Sequence, residues 1–257
     1  MAGLASLVRS VYWYYRFPHA YGSYRGIFET FDQAIAAVPN QSKVGYNNAD
    51  LAQEYEQDFY QYYKIIGTFD YPVLFWLKGL LFEHCTVFDF GGNVGNRFYA
   101  YEDYLNYPPH LKWIVCELPE ILKIGEKIAQ QEKRSNITFT DQFDQANGTD
   151  ILLASGSIQY LGNEFSKQLG SLACKPRHLI LNRLPLCEGK QFVTLQNGGL
   201  VFYPAFVMNK AEFIASICNL GYELGDSWQD RSEPCAVPFH PEFKTLSFHG
   251  LYFKLLS

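Results

Sequence analysis

Between residues 86 and 184 five apolar runs alternate with helical or polar stretches: TVFDF (86–90), LKWIVCEL (111–118), NITFTD (136–141), DILLAS (150–155) and HLILNRL (178–184). The intervening RFYAYEDYLNY and PEILKIGEKIAQQEK have helical character, and such alternation means a parallel sheet wrapped by helices. Two further strand-like runs close the chain, YELGDSW (222–228) and LSFHGLYFKLL (246–256), separated by a loop with Pro234, Pro238 and Pro241. The expectation is an α/β fold with a doubly wound sheet of seven: five parallel strands, then an antiparallel terminal pair.

Residues 1–80 read differently, as a helical, aromatic-rich cap. Thr30 followed by Gln33 makes a capping box for FDQAIAAV, which Pro39 stops, and Asn47 or Asn48 caps ADLAQEYEQDFYQYYKII, which ends near Gly67. Residues 81–257 then form the sheet domain. Within it, residues 186–208 exceed an ordinary connection and are expected to form a lid or binding loop, followed by the helix NKAEFIASICNLG.

The first strand runs into VFDFGGNVGN (87–96), where Asp89 precedes three glycines, Gly91, Gly92 and Gly95. In open sheets of this kind ligands bind outside the carboxyl ends of the strands, where strand order reverses, and glycines let backbone approach them. Counted from Gly91, the third and sixth positions are Asn93 and Asn96, so the dinucleotide fingerprint G-x-G-x-x-G fails. No Gly-Lys-Ser/Thr follows, so the phosphate-loop pattern fails too. An acid so close to the turn repels a pyrophosphate and suits a cation. S-adenosylmethionine, with an α-ammonium, a sulfonium and no phosphate, fits that charge. Glu117, ending the second strand, is placed to accept from ribose hydroxyls, and Asp141, ending the third, from an adenine amino group. Strand-end acids also cap helices, and that reading stays open. Leu118, Gln142 and Ser155 complete the expected donor pocket.

Composition narrows the partners. The net charge of −5 argues against nucleic acid, whose binding leans on dense Lys and Arg. Six cysteines without a CxxC pair or metal-finger spacing indicate a reducing, cytoplasmic setting and no metal site. MAGLASLVRSVYWYYRF lacks a basic leader, and Arg9 and Arg16 interrupt its apolar stretch, so neither a signal peptide nor a membrane span is expected. Its Tyr/Trp-rich face is expected to pack on the domain, with contact at a membrane surface as the alternative. Oligomeric state is left open.

The stretches RGIFETFDQAIAA, VFDFGGNVG, CELPEI, SGSIQYL, LILNRLPL, FVTLQN and GYELGDSW carry a resemblance that spans most of the chain. The sequence resembles the class I S-adenosylmethionine-dependent methyltransferases. Within them it is similar to a bacterial group associated with polysaccharide biosynthesis genes. The class favours glycine where Asn93 stands here. The resemblance implies a Rossmann-like methyl-donor fold, and it suggests a glycan acceptor.

Methyl transfer asks the protein to align acceptor and methyl and to exclude water; a hydroxyl acceptor also benefits from a base. His84, His110 and His178 precede strands, which puts them at the amino edge, away from the donor. His240, in the loop joining the last two strands, and His19, in the N-terminal segment, are the candidate bases, each weighed against an ordinary surface or packed histidine. Tyr160 is a third catalytic candidate. Gln159, Asn182, Arg183, Thr194, Gln196 and Tyr203 are expected to face the acceptor. Tyr21, Tyr24 and Arg25 would form the opposite wall, since aromatic faces stack on sugar rings. The reading is a methyltransferase acting on a sugar hydroxyl. The rivals are methylation of a small metabolite or protein side chain, a donor-binding module without turnover and, distantly, a nicotinamide enzyme.

Overall fold

The computed structural model describes residues 2–39, 43–230, 237–240 and 247–256; Pro234 and Pro241 of the closing loop lie outside them. The N-terminal segment contains α1 (Ala2–Arg16), a 3-10 turn (Phe17–His19), β1 (Tyr24–Phe28), α2 (Phe31–Ala36), β2 (Lys43–Val44), α3 (Ala49–Tyr62) and α4 (Tyr71–Leu80). The caps form as the sequence demands. Thr30 Oγ1 accepts from Gln33 N at 3.2 Å, and Gln33 Oε1 accepts from Glu29 N at 2.9 Å. Asn48 Oδ1 accepts from Asp50 N and Leu51 N at the start of α3. Each such cap is worth about 1 kcal/mol.

The remainder runs β3 (Thr86–Phe90), α5 (Asn96–Tyr101), β4 (Lys112–Cys116), α6 (Pro119–Gln131), β5 (Ile137–Thr140), β6 (Ile151–Ser155), α7 (Glu164–Ser171), β7 (His178–Cys187), β8 (Phe192–Asn197), β9 (Val201–Asn209), α8 (Lys210–Cys218), β10 (Tyr222–Asp230) and β11 (Ser247–Leu255). The seven strands read from sequence are all present. They lie in the order β5-β4-β3-β6-β7-β11-β10, with the first five parallel and β11 antiparallel to both its neighbours. Strand order therefore reverses between β3 and β6, where ligand crevices form.

Neighbouring residues of each strand feed opposite faces. Val87, Trp113, Val115, Leu153 and Ile180 join one buried cluster with residues of α4, α5 and α6. Phe88, Leu152, Ala154 and Leu179 join a second with residues of α7 and α8. These near-continuous apolar strands are what a parallel sheet covered on both faces requires.

Two expectations fail. The stretch 186–208 is no lid loop: it holds the end of β7, then the antiparallel hairpin of β8 and β9, which turns at Asn197–Gly198–Gly199 with Gly199 at φ +85°. β1 pairs with β8, and β2 with β9. This subsheet joins the main one where Leu186 and Cys187 of β7 meet Met208 and Asn209 of β9, giving eleven strands among the described residues in place of seven. The physical reason is that VTLQ and VFYPAFV are β-branched and aromatic runs around a hairpin turn, buried on both faces by Phe17 and Tyr24 clusters. The second failure is α1. It does not pack on the domain along its length: residues 7–16 are exposed except half-buried Ser10.

Candidate functional site

From the carboxyl end of β3 the chain turns back through Gly91–Gly95 into α5. Gly91 (φ +67°) and Gly95 (φ +91°) occupy the left-handed region. Asn93 sits there as well (φ +56°), and its Oδ1 accepts from Val94 N at 2.7 Å. An asparagine tolerates that conformation by such local bonding. Three more donors of the turn are engaged: Gly91 N on Cys116 O, Gly95 N on Gly92 O, and Asn93 N on Glu117 Oε1 at 3.1 Å. The turn is thus stitched to the end of β4. A side chain at Gly91 would also run into the Cβ of Ser157. Gly91→Ala should therefore cost about 1–3 kcal/mol in urea unfolding, part of which an added Ser157→Gly restores. A loss below ~0.5 kcal/mol would show the turn to be slack.

Glu117 stands just beyond β4, with Oε1 on Asn93 N and Oε2 on Leu118 N at 2.9 Å. Each oxygen keeps acceptor capacity for a further donor. Burial, with the Asp89 charge nearby, pushes its carboxyl up to about 7 against the pull of those two N–H groups. Asp141 and Gln142 are exposed beyond β5, joined by a 2.6 Å bond from Gln142 Nε2 to Asp141 Oδ1. Glu117 N bonds Thr140 O, which holds the two strand ends side by side.

Asp89 departs from the expectation of an open rim. It is fully buried on the α5 side of the sheet, where Oδ2 accepts from Trp113 Nε1 at 3.1 Å and Oδ1 has no hydrogen-bond partner. A Cβ on Gly92 would come within 2.6 Å of its carboxyl carbon, so the carboxylate lies directly beneath the turn. Burial drives its pKa up to about 6, against the opposing charge of Arg97. Arg97, from the first turn of α5, also lies 3.9 Å from Asp70, which accepts from Tyr101 Oη at 2.6 Å and from Gly67 N at 2.8 Å. These groups border a cavity of about 270 Å³ whose walls include Phe69, Asn96 and Tyr63; Asn96 Oδ1 and Arg97 Nε are buried there without hydrogen-bond partners. The sequence reading missed Arg97, Asp70, Asn96 and Trp113, because nothing local marks residues so distant in the chain as one network.

On the other side of the turn, a cluster of tyrosines meets the β8–β9 hairpin. The Tyr46 and Tyr203 rings stack at 4.1 Å, with Tyr160 at 4.8 and 5.0 Å from them. Tyr160 Oη donates to Gln196 Oε1 at 2.9 Å. The hydroxyls of Tyr46, Tyr160 and Tyr203 lie close enough to influence one another's ionisation. Burial raises all three hydroxyl pKa values, so these phenols keep their protons at neutral pH. Tyr55 belongs to the same group; burial and then the Glu117 charge raise it, which ties the tyrosines to the carboxylate at β4. Tyr46 and Tyr55 were missed, and the only signal for them was the excess of tyrosine before residue 80. Gln159 is buried with Oε1 lacking a hydrogen-bond partner, and Arg183, at φ +55°, lies 4.3 Å over the Phe69 ring with its charge acting on Tyr160.

Several candidates serve the frame. Asn182 is fully buried and saturated: Nδ2 donates to Phe69 O and Ser155 Oγ, and Oδ1 accepts from Trp228 Nε1. It cannot hold an acceptor, and Ser155 is engaged with it. Arg25 donates to Ala37 O and covers the Phe17 and Tyr14 rings, while Tyr24 is buried under β8; both are structural rather than a substrate wall. Thr194 is fully buried on the same strand face as Gln196. Tyr21 is exposed, packed beside Gly199 of the hairpin turn. His19 is exposed on the 3-10 turn after α1. His240 ends the segment 237–240, whose Val237 joins the cluster against which Tyr160 packs. His84 and His110, both exposed, stack on each other at 4.5 Å at the amino edge, and His178 bonds Tyr252 Oη.

No family model matches this sequence, and no curated protein matches it. Solved structures do. The Burkholderia thailandensis 1,6-didemethyltoxoflavin-N1-methyltransferase, solved with 1,6-didemethyltoxoflavin and S-adenosylhomocysteine, aligns with TM-score 0.50 and 13% identity over 86% of this chain and 95% of its own. The Synechocystis magnesium protoporphyrin IX methyltransferase with bound S-adenosylhomocysteine gives 0.53 and 13% over 81% and 98%. A Clostridium acetobutylicum S-adenosylmethionine-dependent methyltransferase gives 0.52 and 9% over 82% and 100%. At such identities the likeness establishes the fold: a Rossmann-like α/β methyltransferase fold with a mixed sheet.

Proposed function

We propose that this chain is an S-adenosylmethionine-dependent methyltransferase with a small-molecule acceptor, and that the reaction is O-methylation of a sugar hydroxyl in a bacterial glycan pathway. The observation that carries the donor assignment is the Glu117 carboxylate. It accepts from Asn93 N of the turn and Leu118 N beyond β4, and its free acceptor capacity faces any ligand there. A ribose diol and a cation fit this chemistry; a diphosphate, repelled by the carboxylate, does not. The unpartnered Asp89 Oδ1 beneath the turn adds negative charge in the same place. The fold is also that of proteins solved with S-adenosylhomocysteine.

When bound, S-adenosylmethionine supplies a methyl group on a positively charged sulfur that is already an activated leaving group. The chain's task is to bind, orient and exclude water. Gly91, Gly92, Asn93 and Gly95 shape the floor, Glu117 accepts from the ribose hydroxyls, and Leu118, Asp141 and Gln142 border the adenine end. Tyr46, Tyr160 and Tyr203 offer flat faces to a ring, and Gln159 and Gln196 can hold its hydroxyls. Tyr160 keeps its proton and donates a hydrogen bond, so it orients rather than deprotonates. His240 is the base candidate on the acceptor side, ahead of exposed His19. Calorimetry with S-adenosylmethionine, S-adenosylhomocysteine and NAD tests the donor, and turnover on sugar, phenol and amine panels tests the acceptor. Binding of NAD alone would overturn the assignment. A second reading, a donor sensor without turnover, is favoured by the protonated tyrosines; it requires donor binding with no methylation on any panel.

The carboxylates make the donor assignment pH-sensitive. Glu117 and Asp89 have folded pKa values raised to about 7 and about 6. The stability they contribute is therefore fully present below their unfolded values and is lost as pH rises through the folded ones. A cation with a diol favours the ionised forms, so donor binding releases protons near neutrality. Affinity should fall at least about 30-fold from about pH 8 to about pH 5.5, the factor set by Glu117 alone, with proton release visible as buffer-dependent enthalpy. Affinity that is flat across this range would remove Glu117 from the donor site.

A further inference from the structure

The helix α1 leaves its apolar side uncovered. Leu7, Val8, Val11, Tyr12 and Tyr15 recur at helical spacing on one side, each exposed, with Val8 at 61% and Tyr15 at 76%. Its contacts to the domain among the described residues lie at the last turn: Tyr14 meets Phe239 and lies under Arg25, and the next residue, Phe17, is buried with its carbonyl held by Asn197 Nδ2. The helix is thus tied to the domain at that end, with the stripe of residues 7–15 exposed.

Charge selects what covers the stripe. The chain carries −5 overall, yet its first 28 residues contain Arg9, Arg16 and Arg25 and no carboxylate. A second copy docking α1 against α1 would set arginines against arginines with no acid to pair them. An anionic bilayer answers both features. Aliphatic and aromatic side chains enter the headgroup–acyl boundary, tyrosine and tryptophan favour that depth, and arginines reach up to lipid phosphates. Fifteen residues span about 22 Å, short of the ~30 Å hydrocarbon core, so the helix lies in the interface. Among the described residues no helix is long and apolar enough to cross a membrane.

We propose that α1 is an in-plane anchor that docks this protein on anionic lipid surfaces. The inference stands independently of the methyl-transfer reading. The test is co-sedimentation of the full chain with vesicles of phosphatidylglycerol and phosphatidylcholine, compared with phosphatidylcholine alone. The expected result is binding to the anionic vesicles that Arg9→Gln with Arg16→Gln weakens about 30-fold, taking ~1 kcal/mol per arginine at the surface. Val11→Glu with Tyr15→Glu should weaken it at least about tenfold by charging the inserted side, with the melting temperature and donor affinity unchanged. Absence of binding to anionic vesicles would overturn the proposal, as would equal binding to neutral ones or indifference to the arginine pair. A native dimer that Val11→Glu with Tyr15→Glu converts to monomer, with no vesicle binding, would assign the stripe to self-association instead.

Discussion

Glu117→Ala should weaken S-adenosylmethionine binding by about 3 kcal/mol, more than about 100-fold, and abolish turnover at ordinary donor concentrations. The carboxylate is expected to accept two hydroxyl donors, and a hydrogen bond to a charged group is worth about 1.5–3 kcal/mol. The same side chain holds Asn93 N of the turn and Leu118 N beyond β4, so the alanine variant also frees two backbone donors. Glu117→Gln separates these roles. Its carbonyl oxygen can keep one backbone partner, so the turn survives while the charge and the second acceptor are lost. A role in donor binding predicts that Glu117→Gln weakens affinity and flattens its pH dependence. A merely structural role predicts a lowered melting temperature with the pH profile intact. Calorimetry at two pH values with a thermal melt decides between them.

The second large effect belongs to Arg97. Its guanidinium stands between Asp70 and Asp89, two buried carboxylates, with Tyr101 completing the group. Removing one partner of a buried ionic group leaves the other uncompensated, which costs about 3–5 kcal/mol. Arg97→Ala should show that loss in urea unfolding near neutral pH. The loss should shrink in mild acid, because Asp89, already pushed up to about 6, takes a proton there and no longer needs a cation. A loss under ~1 kcal/mol, or one independent of pH, would show that the group is hydrated or that Trp113 alone satisfies Asp89. Arg97 therefore supports the turn from below: it sets how much negative charge Asp89 presents under Gly92.

What the sequence made legible was the local part of this design. Strand-length apolar runs and helix caps are decided within a few residues and appear where the pattern places them; the strand-end acids divide, Glu117 and Asp141 lying beyond β4 and β5 while Asp89 is buried within β3. The hairpin of β8 and β9 was hidden because a long polar-flanked segment resembles a loop until its partners, β1 from the far N-terminus and the end of β7, are known. Asn182 shows a different limit. Its chemistry suits an acceptor site, and only the structure reveals that Phe69 O, Ser155 Oγ and Trp228 Nε1 exhaust it. Arg25 fails likewise, its charge absorbed by Ala37 O and two rings. Residue type announces what a side chain can do, and burial direction decides for whom.

β7 is ten residues long, lying beside β6 at Leu181 and Asn182 and beside β9 at Leu186 and Cys187, with Arg183 at φ +55° between the two pairings. One strand, bent at Arg183, therefore serves as a common ruler for both halves of the sheet. Under the proposed function, change in acceptor preference is then cheapest at the hairpin tip through exposed Leu200, because a side chain at Gly198 would meet the Tyr203 ring and Gly199 sits at φ +85°. Lineages of this architecture should vary in length and chemistry at that tip while the strand behind it stays constant.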